Sequence, residues 1–236
     1  MRFIKGTTNR HKIRELWEIM NPLQLQLDVT DPIDPPETMD NFAGNSRQKT
    51  FAYAAYVLGQ LLPEYVKSCG SEEIALAIMR HERIYVIGED SGLCVAALND
   101  LPGPWSARFS DFAEVDVTNG RLLGHRDSGR GRDEIDAANN VRLMELMRDV
   151  PPQRRVAKFV SALTVVDITD LDGEPAFEAY AESYGHIATE MRGRRGGEGL
   201  QSGMPPHSRR HHIIDACQLK KTAWCGYGKF VTSSNG

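Results

Sequence analysis

The spacing of apolar residues changes several times along the chain, and each change marks an element. Met1 to Gly6 is short and partly apolar. Thr7, Thr8 and Asn9 follow as turn or cap residues, and then Ile13, Leu16, Trp17 and Met20 recur at helical spacing. The predicted order is strand, polar turn, helix. Leu23, Leu25, Leu27 and Val29 alternate with Gln24, Gln26 and Asp28, the period of two of a half-buried strand, and the run from Pro32 to Pro36 ends it. A second helix is expected from about Asn41 to Leu62, with Phe42, Ala52, Ala55 and Leu58 among its buried positions.

Ile84 to Ile87 and Leu93 to Leu98 read as strands on either side of an acidic turn at Glu89 and Asp90. From Asp111 to Asp133 the chain is polar and glycine-rich, which predicts a mobile loop. Ile135 to Val150 has helical periodicity, Val156 to Ile168 is a long β-branched strand, and Phe177 to Ile187 is a further strand. Strands and helices alternate in the first half and strands dominate the second, so the fold class is α/β. Beyond Gly193 Arg, Gly, His and Ser dominate and no apolar period holds. The expected organisation is one domain over 1–199 and a divergent, weakly structured tail over 200–236.

With 236 residues, 41% of them hydrophobic, the chain can build one substantial core or two small lobes. A net charge of −4 gives no basic excess, which argues against nucleic acid as a partner and leaves room for a small phosphorylated ligand. No stretch approaches the roughly 18 to 20 apolar residues of a membrane helix, and the N-terminus has no signal-peptide pattern. Cys69, Cys94, Cys217 and Cys225 lack short paired spacings, as expected of reduced thiols in a cytoplasmic protein.

The segment from Gly88 to Phe109 carries the most chemistry. Adjacent carboxylates at the end of an apolar strand, followed by Ser91 and Gly92, stand where α/β sheets bind ligands. Their hard oxygens suit Mg2+, and Mg2+ suits phosphates. Taken alone, E-D-S-G is more often an ordinary charged turn. Pro102, Gly103, Ser106, Ala107 and Arg108 follow closely, and an Arg after a tight turn can pair with a phosphate oxygen.

From Glu89 to Phe109 the order and spacing resemble the house-cleaning pyrophosphatases that hydrolyse inosine and xanthosine triphosphates, the HAM1-like family. Their typical stretch is an acidic pair, S/T-G-L, a strand, then L-x-G-x-P-G-x-x-S-A-R-[YF]; Asp100 stands here where a Gly is usual. Three further blocks agree in order. Thr7, Thr8, Asn9 and Lys12 match T-G-N-x-x-K, with Thr8 in place of Gly. Glu37, Thr38, Phe42, Asn45 and Lys49 match the second block, in which Gly44 replaces the family's metal-binding Glu. Asn45 and Lys49, four apart, can share one helix face. Arg155, Ala157 and Phe159 match the third block, with Phe177, Gly185 and Ile187 following. The chain departs from the pattern after Gly199, where the motifs for base recognition are expected, and carries an insertion around Leu61 to His81.

The resemblance implies an elongated mixed sheet with flanking helices, two lobes around a central cleft, and a homodimer. It implies Mg2+ and cleavage of a nucleoside triphosphate to the monophosphate and pyrophosphate. Asp90 is then general base and metal ligand, with Glu89 a second metal ligand, or Glu37 or Asp40 making up for Gly44. Lys12 and Lys49 meet the phosphates, Thr7, Thr8, Asn9 and Ser91 donate hydrogen bonds to them, and Arg108 supports them. Taken singly, each residue has a plainer role: Lys49 as a solvated helix face, Asn9 as a cap, Ser91 as part of a turn.

Three other functions fit parts of the sequence. A paralogue that binds nucleotides without hydrolysing them is suggested by Gly44 and the altered tail. A pyrophosphatase for other modified nucleotides is the second. A metal- or nucleic-acid-binding module on His207, His211, His212, Cys217 and Cys225 is the third, and its spacing lacks the paired ligand units of structural zinc sites.

Overall fold

A computed structural model describes residues 1–7, 10–31 and 33–190, and the backbone of 214–215. The elements are β1 (Arg2–Lys5), α1 (Arg10–Met20), β2 (Gln26–Val29), α2 (Phe42–Cys69), α3 (Glu72–Glu82), β3 (Ile84–Val95), β4 (Phe112–Asp116), β5 (Arg121–His125), α4 (Arg132–Leu146), β6 (Val156–Asp167), β7 (Phe177–Ile187) and β8 (Ile214–Asp215). Six strands form a sheet in the order β2-β1-β3-β6-β7-β8, and β4 pairs with β5 alone. The fold is mixed α/β: β1 is parallel to both β2 and β3, and β7 is antiparallel to β8. Two compact units divide the described chain, Met1–Asp90 with Ser161–Tyr180, and Ser91–Val160 with the chain from Ala181.

In the first unit, Ile4, Tyr53, Ala54, Val57, Met79, Ile84, Val86, Val166 and Ile168 form one buried cluster, and Leu16, Met20, Ile87, Leu163 and Val165 another. Asn41 caps α2 through its side chain, which accepts from the Gly44 N–H at 2.7 Å. Two glycines set how closely α2 approaches the strands. A Cβ at Gly6 would lie 2.3 Å from the Tyr53 ring, and one at Gly88 would lie 2.0 Å from Thr50 Oγ1. Only a bare backbone fits at either place.

Several expectations are corrected here. α2 does not stop near Leu62 but runs through Pro63 to Cys69, and α3 follows, so the insertion both extends the helix and adds one. Pro63 removes one N–H, and the carbonyl it would have served belongs to Gly59, which is exposed and open to water. Tyr53, Ala54 and Val57 face inward, whereas Ala55 is exposed, because the nearly continuous apolar run gives no phase. Trp17 is 52% exposed. Leu23 lies in a 3-10 turn, Asn21–Leu23, and Gln24 adopts φ 55°, so the strand begins only at Gln26.

The largest correction concerns the acidic pair. Glu89 and Asp90 are not in a turn; they lie inside β3, a single strand of 12 residues. From Gly88 to Leu93 burial alternates residue by residue, as on a strand with one side closed. The pairing with β1 ends at Lys5 opposite Ile87. The two acids therefore stand on β3 just past the C-terminal end of its parallel neighbour, where such sheets bind ligands.

The second unit buries Val95, Leu98, Leu101, Phe109, Leu143, Met147, Ala157 and Ile187 together. The stretch 111–133 is not a loop but largely the β4–β5 hairpin and the start of α4. Its turn is fixed by Asn119 N–H donating to Asp116 Oδ1 at 3.1 Å and by Gly120 at φ 62°. Val115 and Leu122 pack on the core, and Phe112 meets Trp105 and His125 with ring centres 5.4 and 5.0 Å apart. α4 ends at Leu146, four residues before the predicted end. Among the described residues no helix is long and apolar enough to cross a membrane. Cys69 and Cys94 are free thiols; Cys217 and Cys225 lie outside the described residues.

Candidate functional site

The charged groups brought together at the acidic pair, Lys5, Lys12, Glu37, Lys49, Glu89 and Asp90, and the Asn45 amide belong to the first unit. β3 supplies the acids, the end of β1 supplies Lys5, and the first turn of α1 supplies Lys12. The first two turns of α2 supply Asn45 and Lys49.

Asp90 is 6% exposed, and Asn45 Nδ2 donates to its Oδ2 at 3.2 Å. The other end of the Asn45 amide accepts the Met39 N–H at 2.9 Å, so the amide cannot rotate without losing a bond. One turn later Lys49 Nζ donates to the Glu89 carbonyl at 3.4 Å and pairs with the Glu37 carboxylate. The shared helix face predicted for Asn45 and Lys49 is thus observed. Ser46 and Thr50 are both buried; the first ties this part of α2 to β6 and the second bonds within the helix. Ser46 Oγ is 2.9 Å from Thr164 Oγ1, and Thr50 Oγ1 donates to the Ser46 carbonyl at 2.6 Å.

Glu89 is gripped from two sides. Its Oε1 lies 2.7 Å from Lys12 Nζ and its Oε2 lies 3.4 Å from Lys5 Nζ. Lys5 was not singled out in the sequence, yet its side chain is wholly buried. The available signal is a lysine directly after Phe3 and Ile4 at the end of a strand, R-F-I-K, where full burial is rare unless the charge has a partner. Burial lowers the Lys5 pKa to about 8 against the pull of Glu89. Burial works to raise Glu89, but the charges of Lys5 and Lys12 outweigh it and hold that carboxyl below its ordinary value. For Asp90 burial prevails over Lys49 and Asn45, and its pKa is raised. Two neighbouring carboxylates are thereby driven in opposite directions, the pattern of groups with separate chemical roles.

The remaining candidates lie next to β1, on β3 and in the second unit. Thr7, half-buried, directly follows β1 and Gly6; Thr8 and Asn9 lie outside the described residues. Ser91 is the next residue of β3 and opens the second unit. Arg108 is exposed in the second unit, on the 3-10 stretch Gly103–Asp111, with φ −130° and ψ 21° outside the helical range. Ser106 acts within the fold, where its Oγ accepts the Leu93 N–H at 2.8 Å and donates to the Gly103 carbonyl at 2.5 Å. Asn139, not anticipated, pins the same stretch, accepting the Ser110 N–H and donating to the Ser106 carbonyl. Gly44 offers no carboxylate, and a Cβ there would lie 2.9 Å from the Met39 side chain.

Fold and site together define a mixed α/β protein with a buried and a half-buried carboxylate flanked by lysines at the end of a parallel strand pair. This chain belongs to the Ham1 family, whose model matches residues 4–199. It is 27% identical over 198 residues to the dITP/XTP pyrophosphatase of Haemophilus ducreyi, covering 83% of this chain and 77% of that protein. With the dITP/XTP pyrophosphatase of Exiguobacterium sibiricum the identity is 30% over 169 residues, 70% of this chain and 63% of the relative. Among solved structures, a HAM1 protein from Coxiella burnetii shares the fold at a TM-score of 0.54 and 20% identity, over 83% of this chain and 77% of that one.

Proposed function

We propose that this chain is a Mg2+-dependent pyrophosphatase that converts non-canonical purine nucleoside triphosphates (dITP, ITP, XTP) to the monophosphate and pyrophosphate. The observation that carries the proposal is Asp90, a buried carboxylate of raised pKa held in place by Asn45 beside two lysines. Membership of the Ham1 family and relatives named dITP/XTP pyrophosphatase support the substrate class.

In this mechanism Asp90 orients a water and takes its proton as the water attacks phosphorus, and the bond between the α and β phosphates breaks. A raised pKa suits a base that must accept a proton near neutral pH. Lys12 and Lys49 neutralise the phosphate oxygens, and Thr7, Thr8, Asn9 and Ser91 donate hydrogen bonds to them. Arg108 is a further candidate partner for a phosphate oxygen. Among the described residues no group of three or more His, Cys, Asp or Glu could hold a metal ion. Mg2+ needs no such cage, because it commonly takes one or two carboxylates and completes its shell with water and substrate phosphates. Asp90 is the ligand that fits best and Glu89 the second, already paired with two lysines. When bound, Mg2+ would neutralise developing charge on the phosphates. Asp40, exposed and bonded to the Asn41 amide, and Glu37, on Lys49, are the candidate replacements for the carboxylate missing at Gly44. The same proposal includes a cytoplasmic homodimer.

Pyrophosphate release with Mg2+ is to be compared for dITP, ITP, XTP, ATP and GTP. Strong turnover of the first three that is lost in Asp90→Asn, with the fold unchanged, is the expected result. Near-normal turnover by Asp90→Asn overturns the assignment. Gly44 favours a second proposal, a paralogue that binds nucleotides without hydrolysis. Binding of dITP with no pyrophosphate released from a folded protein would support it.

A further inference from the structure

Lys5 is the feature of the site that neither the family motifs nor the mechanism uses. Its Nζ is fully buried at the end of β1, 3.4 Å from Glu89 Oε2, and among the described residues that ion pair is its one close polar contact. Burying a lysine is unfavourable, and an apolar side chain of similar length in place of a buried ion pair is usually neutral or stabilising. The fold alone therefore gives no reason for the charge. Lys5 is wholly buried and its charge lies against Glu89, so its effect on a ligand passes through Glu89.

The balance of charge shows what that effect is. Lys12 Nζ lies 2.7 Å from Glu89 Oε1 and is 22% exposed. Alone with Glu89, Lys12 would be neutralised one to one, and an incoming phosphate would have to compete with a carboxylate for it. With Lys5 on the opposite oxygen, the three groups carry a net charge of +1, which offsets the net −1 of the neighbouring Lys49, Glu37 and Asp90.

We propose that Lys5 is a positioning residue for polyphosphate binding: it fixes and neutralises Glu89 from within the fold, so that the ion pair of Lys12 with Glu89 still presents net positive charge to a phosphate oxygen. The proposal rests on Lys12 as a phosphate ligand and does not require hydrolysis. Glu89 then serves to present Lys12, and proton transfer is left to Asp90.

The test measures binding of inorganic triphosphate to the full-length protein by titration calorimetry, with KM and kcat for dITP in parallel. The proteins are wild type, Lys5→Met, Glu89→Gln and the double variant. Lys5→Met should weaken triphosphate binding and raise KM by roughly tenfold, with kcat nearly unchanged, because a net charge near the phosphate is lost. The double variant should bind to within about threefold of wild type, because removing Glu89's charge restores the net positive charge at Lys12. Neither the double variant nor Lys5→Met buries an unpaired charge, so both are expected to fold even where Glu89→Gln alone does not. Unchanged binding in Lys5→Met overturns the proposal, as does a double variant no better than Lys5→Met. If triphosphate binding follows this pattern while no nucleotide is hydrolysed, the role of Lys5 stands and the pyrophosphatase assignment falls.

Discussion

The Asn45 amide joins two parts of the first unit, accepting the Met39 N–H at 2.9 Å and donating to Asp90 Oδ2 at 3.2 Å. Burial raises the Asp90 pKa, while Lys49 and the Asn45 hydrogen bond oppose the rise. Removing the amide in Asn45→Ala takes away stabilisation of the ionised form, so the pKa rises further. A general base must be ionised to act, and the acid limb of kcat/KM then moves to higher pH. The measurement is a pH–rate profile of both proteins. The variant should lose most activity at the acid end and recover part of it on the alkaline side. A uniform loss at every pH would mean that Asn45 acts only on geometry.

The approach of α2 to β3 depends on Gly88. In Gly88→Ala the added methyl would meet Thr50 Oγ1 at 2.0 Å and the Thr50 Cα at 3.1 Å, so the helix must move. Overpacking of this kind typically costs about 1–3 kcal/mol. It also shifts Asn45 and Lys49, which lie on the same turns, so activity should fall more than stability alone explains. Gly59→Ala is the control: nothing lies within 4 Å of its added Cβ, and the change should stabilise α2 by roughly 0.5–1 kcal/mol. Denaturant unfolding of the two variants, with kcat measured well below their midpoints, separates the two effects.

Cys94 gives a pH signature independent of the site. Burial, helped by Asp100, pushes its pKa from 9.0 to about 11. Between these values the unfolded chain releases the thiol proton and the folded chain keeps it. Stability from this group is complete below pH 9 and is lost as pH rises toward 11. Cys94→Ala should be less stable than wild type at pH 8, from lost packing, and the gap should narrow between pH 9 and 11. A gap that stays constant with pH would show that Cys94 titrates normally in the folded protein.

Much of the fold is legible in the sequence because local pattern and tertiary structure agree. β7 runs from Phe177 to Ile187 as predicted, and the phase of Asn45 and Lys49 on one helix follows from their spacing alone. The acidic pair stands out in the sequence but in the wrong setting: G-E-D-S-G has the composition of a turn, and only the continued strand through Gly88 shows otherwise. Local composition also hides the β4–β5 hairpin, whose polar strands are held by Phe112, Val115 and Leu122 against residues distant in sequence. Lys5 escapes notice because its partner Glu89 lies 84 positions away, and a charge in a strand acquires meaning only when that contact is known.

Arg155 belongs to the family pattern, yet its surroundings make it a residue of the fold rather than of the acidic site. It is 3% exposed in the second unit and donates to four backbone carbonyls: Nε to Ile187 at 3.0 Å, Nη1 to Met147 at 2.6 Å and Val150 at 3.0 Å, and Nη2 to Ala188 at 2.8 Å. The planar guanidinium closes the end of α4 and the end of β7 with one side chain. Arg155→Met removes all four donors and leaves the carbonyls buried, which should destabilise the protein by about 3 kcal/mol or more. Arg155→Lys keeps the charge but has only three N–H groups on a single nitrogen, so it cannot reach carbonyls spread around a plane, and most of the loss should remain. Equilibrium unfolding in urea measures both. If the lysine variant is as stable as wild type, charge rather than the fan of four hydrogen bonds holds this part of the fold together.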